Sequence, residues 1–140
     1  MNDNFRGYIS SRPFMGERVP QHIQNLVIRT YCTQRKLNYL LSATEYAMDG
    51  CHIILNQIIN ELPELAGIAA YSLFQLPEDD GERTRIFFRV LEAGKVFHFC
   101  VEGLKLENEQ DMERLENIWL VKKTLPGCPD LQVDDPGISR

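Results

Sequence analysis

Two spacings of apolar residues take turns along the chain. Short apolar runs at residues 7–10, 39–42, 67–71 and 96–101 predict strands, and the small and branched run Gly67-Ile68-Ala69-Ala70-Tyr71 suits a strand covered on both faces. Between these runs, apolar residues recur every three or four positions. Ile23, Leu26, Val27 and Tyr31 predict a helix with Pro20 in its first turn, ending near Lys36 with Arg35 and Lys36 against its carboxyl end. Ile54, Leu55, Ile58, Ile59 and Leu62 predict a second helix over 52–62, closed by Pro63. Ile86, Phe87, Val90 and Leu91 predict a third, capped by Gly94, and Met112, Leu115, Ile118 and Trp119 a fourth over 107–123. Residues 11–17 and the acidic stretch 77–81 read as loops. Strand and helix alternate four times. That order predicts an α/β fold in three layers, a mainly parallel four-stranded sheet with helices on both faces. One domain is expected over residues 1–125, then a coil tail at 126–140 that holds three prolines.

Composition narrows the class. A chain of 140 residues, 44% apolar and 25% charged, can bury one core without disulfide or metal staples. Its net charge of -5 runs against a nucleic-acid grip, which draws its affinity from a basic face. Arg6, Arg12, Arg18 and Arg29 gather in the first thirty residues, a pattern that solvated surface arginines also produce. Cys32, Cys51, Cys100 and Cys128 show no Cys-x-x-Cys spacing, and His22, His52 and His98 stand far apart, so neither a metal nor another cofactor is expected. Cys51 precedes His52 at a helix start, where adjacent side chains point apart. The sequence offers no apolar signal core and no run long enough to span a bilayer, so a reducing cytoplasm with free thiols is the expected setting.

In a parallel sheet, ligands bind beyond the carboxyl ends of the strands, where strand order reverses. That rule selects Ser10, Ser11 and Arg12 after the first strand and Glu45 and Tyr46 after the second. It selects Ser72 and Gln75 after the third and Glu102 after the fourth. Arg18 flanks the same loop as Arg12, before a helix start whose free N–H groups favour an anion. No phosphate-binding glycine motif accompanies them. In an enzyme built here Ser10, Ser11 and Ser72 would bind substrate hydroxyls and Glu45 or Glu102 would be the acid or base, so that Ser10, Ser11, Glu45 and Glu102 are the catalytic candidates.

Gly7-Tyr8-Ile9-Ser10-Ser11-Arg12 resembles the opening strand of the serine recombinase (resolvase) catalytic domain. Pro20 through Leu26 is similar to that family's first helix, and Ala93 through Leu104 to its fourth-strand segment. The resemblance implies a resolvase-like fold over about residues 6–120 and a dimer through the last helix. It breaks at the chemistry. Arg12 stands in the position of the family's serine and Ser10 in that of its arginine, while Phe74-Gln75-Leu76-Pro77-Glu78 replaces the Asp-Arg-Leu-x-Arg run after strand three. Residues 7–14, 40–46 and 71–77 also resemble the sporadic carbohydrate cluster proteins of bacteria. That likeness implies a setting in surface-polysaccharide or lipopolysaccharide synthesis.

Three functions follow. The first is an enzyme or accessory protein for a sugar, sugar nucleotide or phosphorylated sugar, with Arg12 and Arg18 holding the anionic group. The second is a non-catalytic dimeric module that pairs through the last helix. The third, against the charge, is a remnant nucleic-acid binder. No membrane partner is expected.

Overall fold

The structure is a computed structural model that describes residues 3–48 and 50–124. In chain order its elements are β1 (Asn4–Ser10), α1 (Gln21–Gln34), β2 (Asn38–Glu45), α2 (Ile53–Asn60), β3 (Gly67–Ala70), α3 (Asp80–Glu92), β4 (Val96–Phe99), β5 (Leu104–Leu106) and α4 (Glu109–Thr124). Short 3₁₀ turns at Leu62–Glu64 and Leu73–Gln75 lead into β3 and away from it. The expected tail at 126–140, with Cys128, lies outside the described residues.

The sheet has five strands in the order β2-β1-β3-β4-β5, one more than the sequence pattern predicts. The first four are mutually parallel; β5 folds back antiparallel on β4, pairing Leu106 with Phe97 and Leu104 with Phe99. Three residues, Leu104-Lys105-Leu106, are too few for their alternation to register as a strand in the sequence. Gly103, at φ 67°, supplies the left-handed residue in the turn that brings them back.

Alternation along the strands sorts side chains into two layers. Tyr8, Ile68, Ala70, Phe97, Phe99 and Leu106 meet Leu55, Ile58 and Ile59 of α2, Ile86, Phe87 and Val90 of α3, and Leu115 and Trp119 of α4. On the opposite face Ile9, Ala69 and Cys100 meet Ile28, Tyr31 and Cys32 of α1. Right-handed crossovers dictate this division. β2 lies to one side of β1 and β3 to the other, so the connecting helices α1 and α2 fall on opposite faces. One face thus carries three helices and the other only α1.

The buried stripe of α1 runs through Gln24, Ile28, Tyr31 and Cys32, one residue round from the predicted stripe; Ile23 and Leu26 are exposed. Pro20 is the residue before the helix, not within its first turn, and Lys36 closes the helix at φ 59°. In α3 the fully buried Arg83 extends the predicted stripe of Ile86, Phe87 and Val90 by one turn toward the helix start. It reaches Glu116 of α4 through Nε (2.9 Å) and Nη2 (2.6 Å), donates to the Pro77 carbonyl (2.9 Å) and lies 4.4 Å over the Trp119 ring. Such a pair holds two helices in register only because every charge is met.

Candidate functional site

The order reversal falls between β1 and β3, and beyond it opens a cleft of about 400 Å3. Its walls are the loop after β1, the loop before α2, the 3₁₀ turn after β3 and the start of α3.

After β1 the chain makes a tight turn. Phe14 and Glu17 exchange backbone hydrogen bonds of 2.9 and 3.0 Å, with Met15 at φ 50° and Gly16 at φ 80° between them. Positive φ at both central residues is the type I′ arrangement, and Met15 holds a conformation that side chains rarely adopt. This turn places Phe14 and Met15 on the cleft wall.

Arg12 does not point freely into the cleft. Its Nη1 donates to the carbonyls of Tyr46 (2.8 Å) and Met48 (3.2 Å), and its Nη2 lies 3.2 Å from His52 Nε2. The same Nε2 lies 3.3 Å from the Gln75 carbonyl, so it stands between a donor, Arg12, and an acceptor, and the ring tautomer decides which of the two it bonds. Nδ1 is buried with no partner among the described residues. Burial, and then the Arg12 charge, push the His52 pKa below its ordinary value, which keeps the ring neutral.

Behind this pair lies a polar network that joins the predicted Ser10, Ser72 and Gln75 to Gln24, a residue the edge rule does not select. Gln24 is fully buried, its Oε1 accepting from the Ser10 amide (3.0 Å) and Gln75 Nε2 (2.8 Å), its Nε2 donating to the carbonyls of Ser10 (2.9 Å) and Val19 (2.8 Å). All four capacities of the amide are used. Gln75 Nε2 also reaches Ser10 Oγ at 3.3 Å, and its Oε1 accepts from the Ser72 amide at 3.1 Å. The available signal was a glutamine four and seven residues before Ile28 and Tyr31, on one helical stripe.

The remaining predicted residues divide. Ser11 Oγ donates to the Glu45 carbonyl at 2.8 Å. Glu45 belongs to the last turn of β2's pairing, opposite Ser10, and not to the loop beyond it. Only 1% exposed, it accepts from Tyr8 Oη (2.9 Å) and from the amides of Ile54 and Leu55 (both 3.0 Å), the free N–H groups at the start of α2. Burial and the neighbouring Glu45 carboxylate push the Tyr8 pKa far up. Ser72 Oγ donates to Glu102 Oε2 (2.7 Å), while Glu102 Oε1 accepts from the Leu73 amide (2.9 Å). Tyr46 contributes its carbonyl to Arg12 and leaves its ring half-exposed. Arg18 is exposed and does not line the cleft. Ser10, Ser11, Arg12, Glu45, Ser72, Gln75 and Glu102 therefore converge on one edge, bonded mainly to one another and to backbone. Cys51 Sγ sits 3.7 Å from Glu45 Oε2, whereas its neighbour His52 turns toward Arg12.

The cleft is also lined by the acidic residues Glu78, Asp79 and Glu82, and by Phe74 beside Gln75. Among the residues lining it there is no serine, threonine, cysteine or lysine to act as a nucleophile. Among the described residues no group of three or more His, Cys, Asp or Glu side chains is arranged to hold a metal ion, and no helix is long and apolar enough to cross a membrane.

No family model matches the chain, and no curated protein matches it. Solved structures do share its fold. The resolvase family site-specific recombinase from Streptococcus pneumoniae superposes with a TM-score of 0.59 at 10% identity, over 89% of this chain and 95% of that one. The N-terminal catalytic domain of TP901-1 integrase gives 0.55 at 12% identity, over 85% and 95%. The fold is resolvase-like α/β, as the sequence resemblance implied, with the antiparallel fifth strand added.

Proposed function

We propose that this protein binds a small hydroxyl-rich ligand in the carboxyl-edge cleft: a sugar, sugar phosphate or sugar nucleotide, in the setting of bacterial surface-carbohydrate synthesis. One observation carries the reading. The cleft is lined by one cationic donor, Arg12, whose Nε and second Nη2 hydrogens take no part in its three contacts, by the acceptors Glu78, Asp79 and Glu82, and by the rings of Phe14 and Phe74. A sugar hydroxyl both donates and accepts, so it needs both kinds of partner, and the C–H face of its ring packs on aromatic carbon. A nucleic-acid backbone meets three carboxylates at the same place and is repelled. Arg12 takes the anionic group where the ligand has one; Ser10, Glu45 and Glu102 brace the walls. The sugar setting rests on the sequence likeness to the sporadic carbohydrate cluster proteins.

The test is thermal unfolding against hexoses, hexose phosphates and sugar nucleotides. One class is expected to raise Tm by about 5 °C or more when present at a hundredfold excess over Kd. Glu82→Gln, on the exposed wall, is expected to abolish most of that rise. No shift with any class, or a shift that Glu82→Gln and Arg12→Lys both leave intact, overturns the reading.

A second reading, a dimeric accessory module, draws on α4, where Leu120 and Val121 remain more than half exposed. Two copies pairing along this helix would cover both. Light scattering at high protein concentration is expected to give twice the chain mass, falling to one chain mass in Val121→Glu; a monomer throughout removes this reading.

A further inference from the structure

The face of the sheet that carries only α1 is left uncovered over β4 and β5. Side chains that project there are Phe5 from β1, Val96 and His98 from β4, and Lys105 from β5, with His98 and Lys105 directly paired across the strands. Together with Tyr31, Arg35 and Leu37 at the end of α1 they enclose a recess of about 450 Å3. It lies at the opposite side of the sheet from the α2–α4 layer and shares no lining residue with the carboxyl-edge cleft.

Two features set this recess apart from an ordinary gap. Its floor is aromatic and well packed. His98 stands between Phe5 and Tyr31, with ring centroids 5.3 and 5.2 Å away and both contacts edge-on at 65°, and its Nδ1 is 2.7 Å from Tyr31 Oη. Edge-on packing joins the three rings into one closed aromatic floor. Its rim is cationic. Arg35 lies 3.6 Å over the Tyr31 ring and has no carboxylate partner among the described residues. Lys105 stands on the other side, paired with Glu107 at 3.0 Å. The lining charges therefore sum to one positive charge in a chain that is -5 overall.

We propose that this recess is a second binding site, for a small molecule that carries a flat ring and one anionic group, such as an aromatic carboxylate or aryl phosphate. The ring lies on the floor that Phe5, Tyr31 and His98 form. The anion meets the unpaired guanidinium of Arg35 in a two-pronged contact, with Lys105 adding a point charge. The site stands independently of the sugar reading, since it uses none of the same residues.

Backbone-amide NMR on the whole chain tests it, with indole-3-carboxylate as probe and indole-3-carboxamide as its neutral match. At about 10 mM, enough to fill a site of about millimolar Kd, the carboxylate is expected to move the amides of Leu37, His98 and Lys105. Arg35→Gln and Lys105→Gln, both on exposed side chains, are expected to weaken binding by about five- to tenfold and about twofold. Silence at that concentration overturns the site. So do equal shifts from the carboxamide, shifts confined to the Arg12–Gln75 cleft, or shifts that survive both substitutions.

Discussion

Replacing Glu45 with alanine is expected to cost about 2–4 kcal/mol of folding stability, the scale of leaving several donors without their charged acceptor. The carboxylate is 1% exposed and serves three donors at 3.0 Å or less: Tyr8 Oη and the amides of Ile54 and Leu55. Alanine strands the buried Tyr8 hydroxyl and Leu55 amide and leaves the half-buried Ile54 amide without its acceptor. Because the negative charge sits at the start of α2, the substitution also removes a favourable interaction with the helix dipole. Glu45→Gln is the informative companion. Leu55 and Tyr8 approach Oε1 while Ile54 approaches Oε2, so one amide oxygen can serve only one side, and its NH2 confronts a donor on the other. About half the alanine loss is expected. Denaturant midpoints of wild type, both variants and Tyr8→Phe measure this directly. A loss below about 1 kcal/mol for Glu45→Ala would return the residue to the role of free acid or base and sink the structural one.

Glu45 also shows what the sequence could and could not disclose. Its place on the carboxyl edge was legible, because strand positions follow from apolar runs and the site rule needs nothing more. Its task was not. A glutamate at a strand end reads the same whether it faces a ligand or caps the next helix, and the difference lies in where α2 starts relative to β2. The same holds for Arg12, which the edge rule offers as an anion ligand and which also makes three contacts to a loop and a histidine that no strand pattern discloses. Helix identities were fixed by spacing, yet the α1 stripe shifted by one position because Gln24, a polar residue, is buried in it. Hydrophobic periodicity cannot count a polar residue as core, although this one makes four hydrogen bonds and so enters the interior without penalty. Arg83 escaped for the same reason. The acidic wall at Glu78, Asp79 and Glu82 read as a turn, since only the packing of α3 against the sheet turns that stretch toward the cleft.

Stability is expected to fall as the pH drops from about 6.5 toward 4, and His98 sets much of the slope. Burial, helped by the Lys105 and Arg35 charges and opposed by Glu107, lowers its pKa from 6.5 to about 4. Above 6.5 the ring is neutral in both folded and unfolded chains, so it adds no pH dependence. Between 6.5 and 4 the unfolded chain binds a proton that the folded one refuses, and unfolding gains accordingly. The full difference is about 3 kcal/mol, reached once the pH lies below both values. His52 is shifted in the same direction and steepens the fall. His98→Gln retains an acceptor for Tyr31 and cannot titrate, so its stability is expected to change less with pH. Urea unfolding of wild type and variant at pH 7 and pH 4.5 isolates the contribution. Their difference in stability is expected to move by about 2–3 kcal/mol between the two conditions, in favour of the variant at low pH. Parallel curves would mean that the ring protonates within the fold at its ordinary pKa, and so that the recess it floors is open to water.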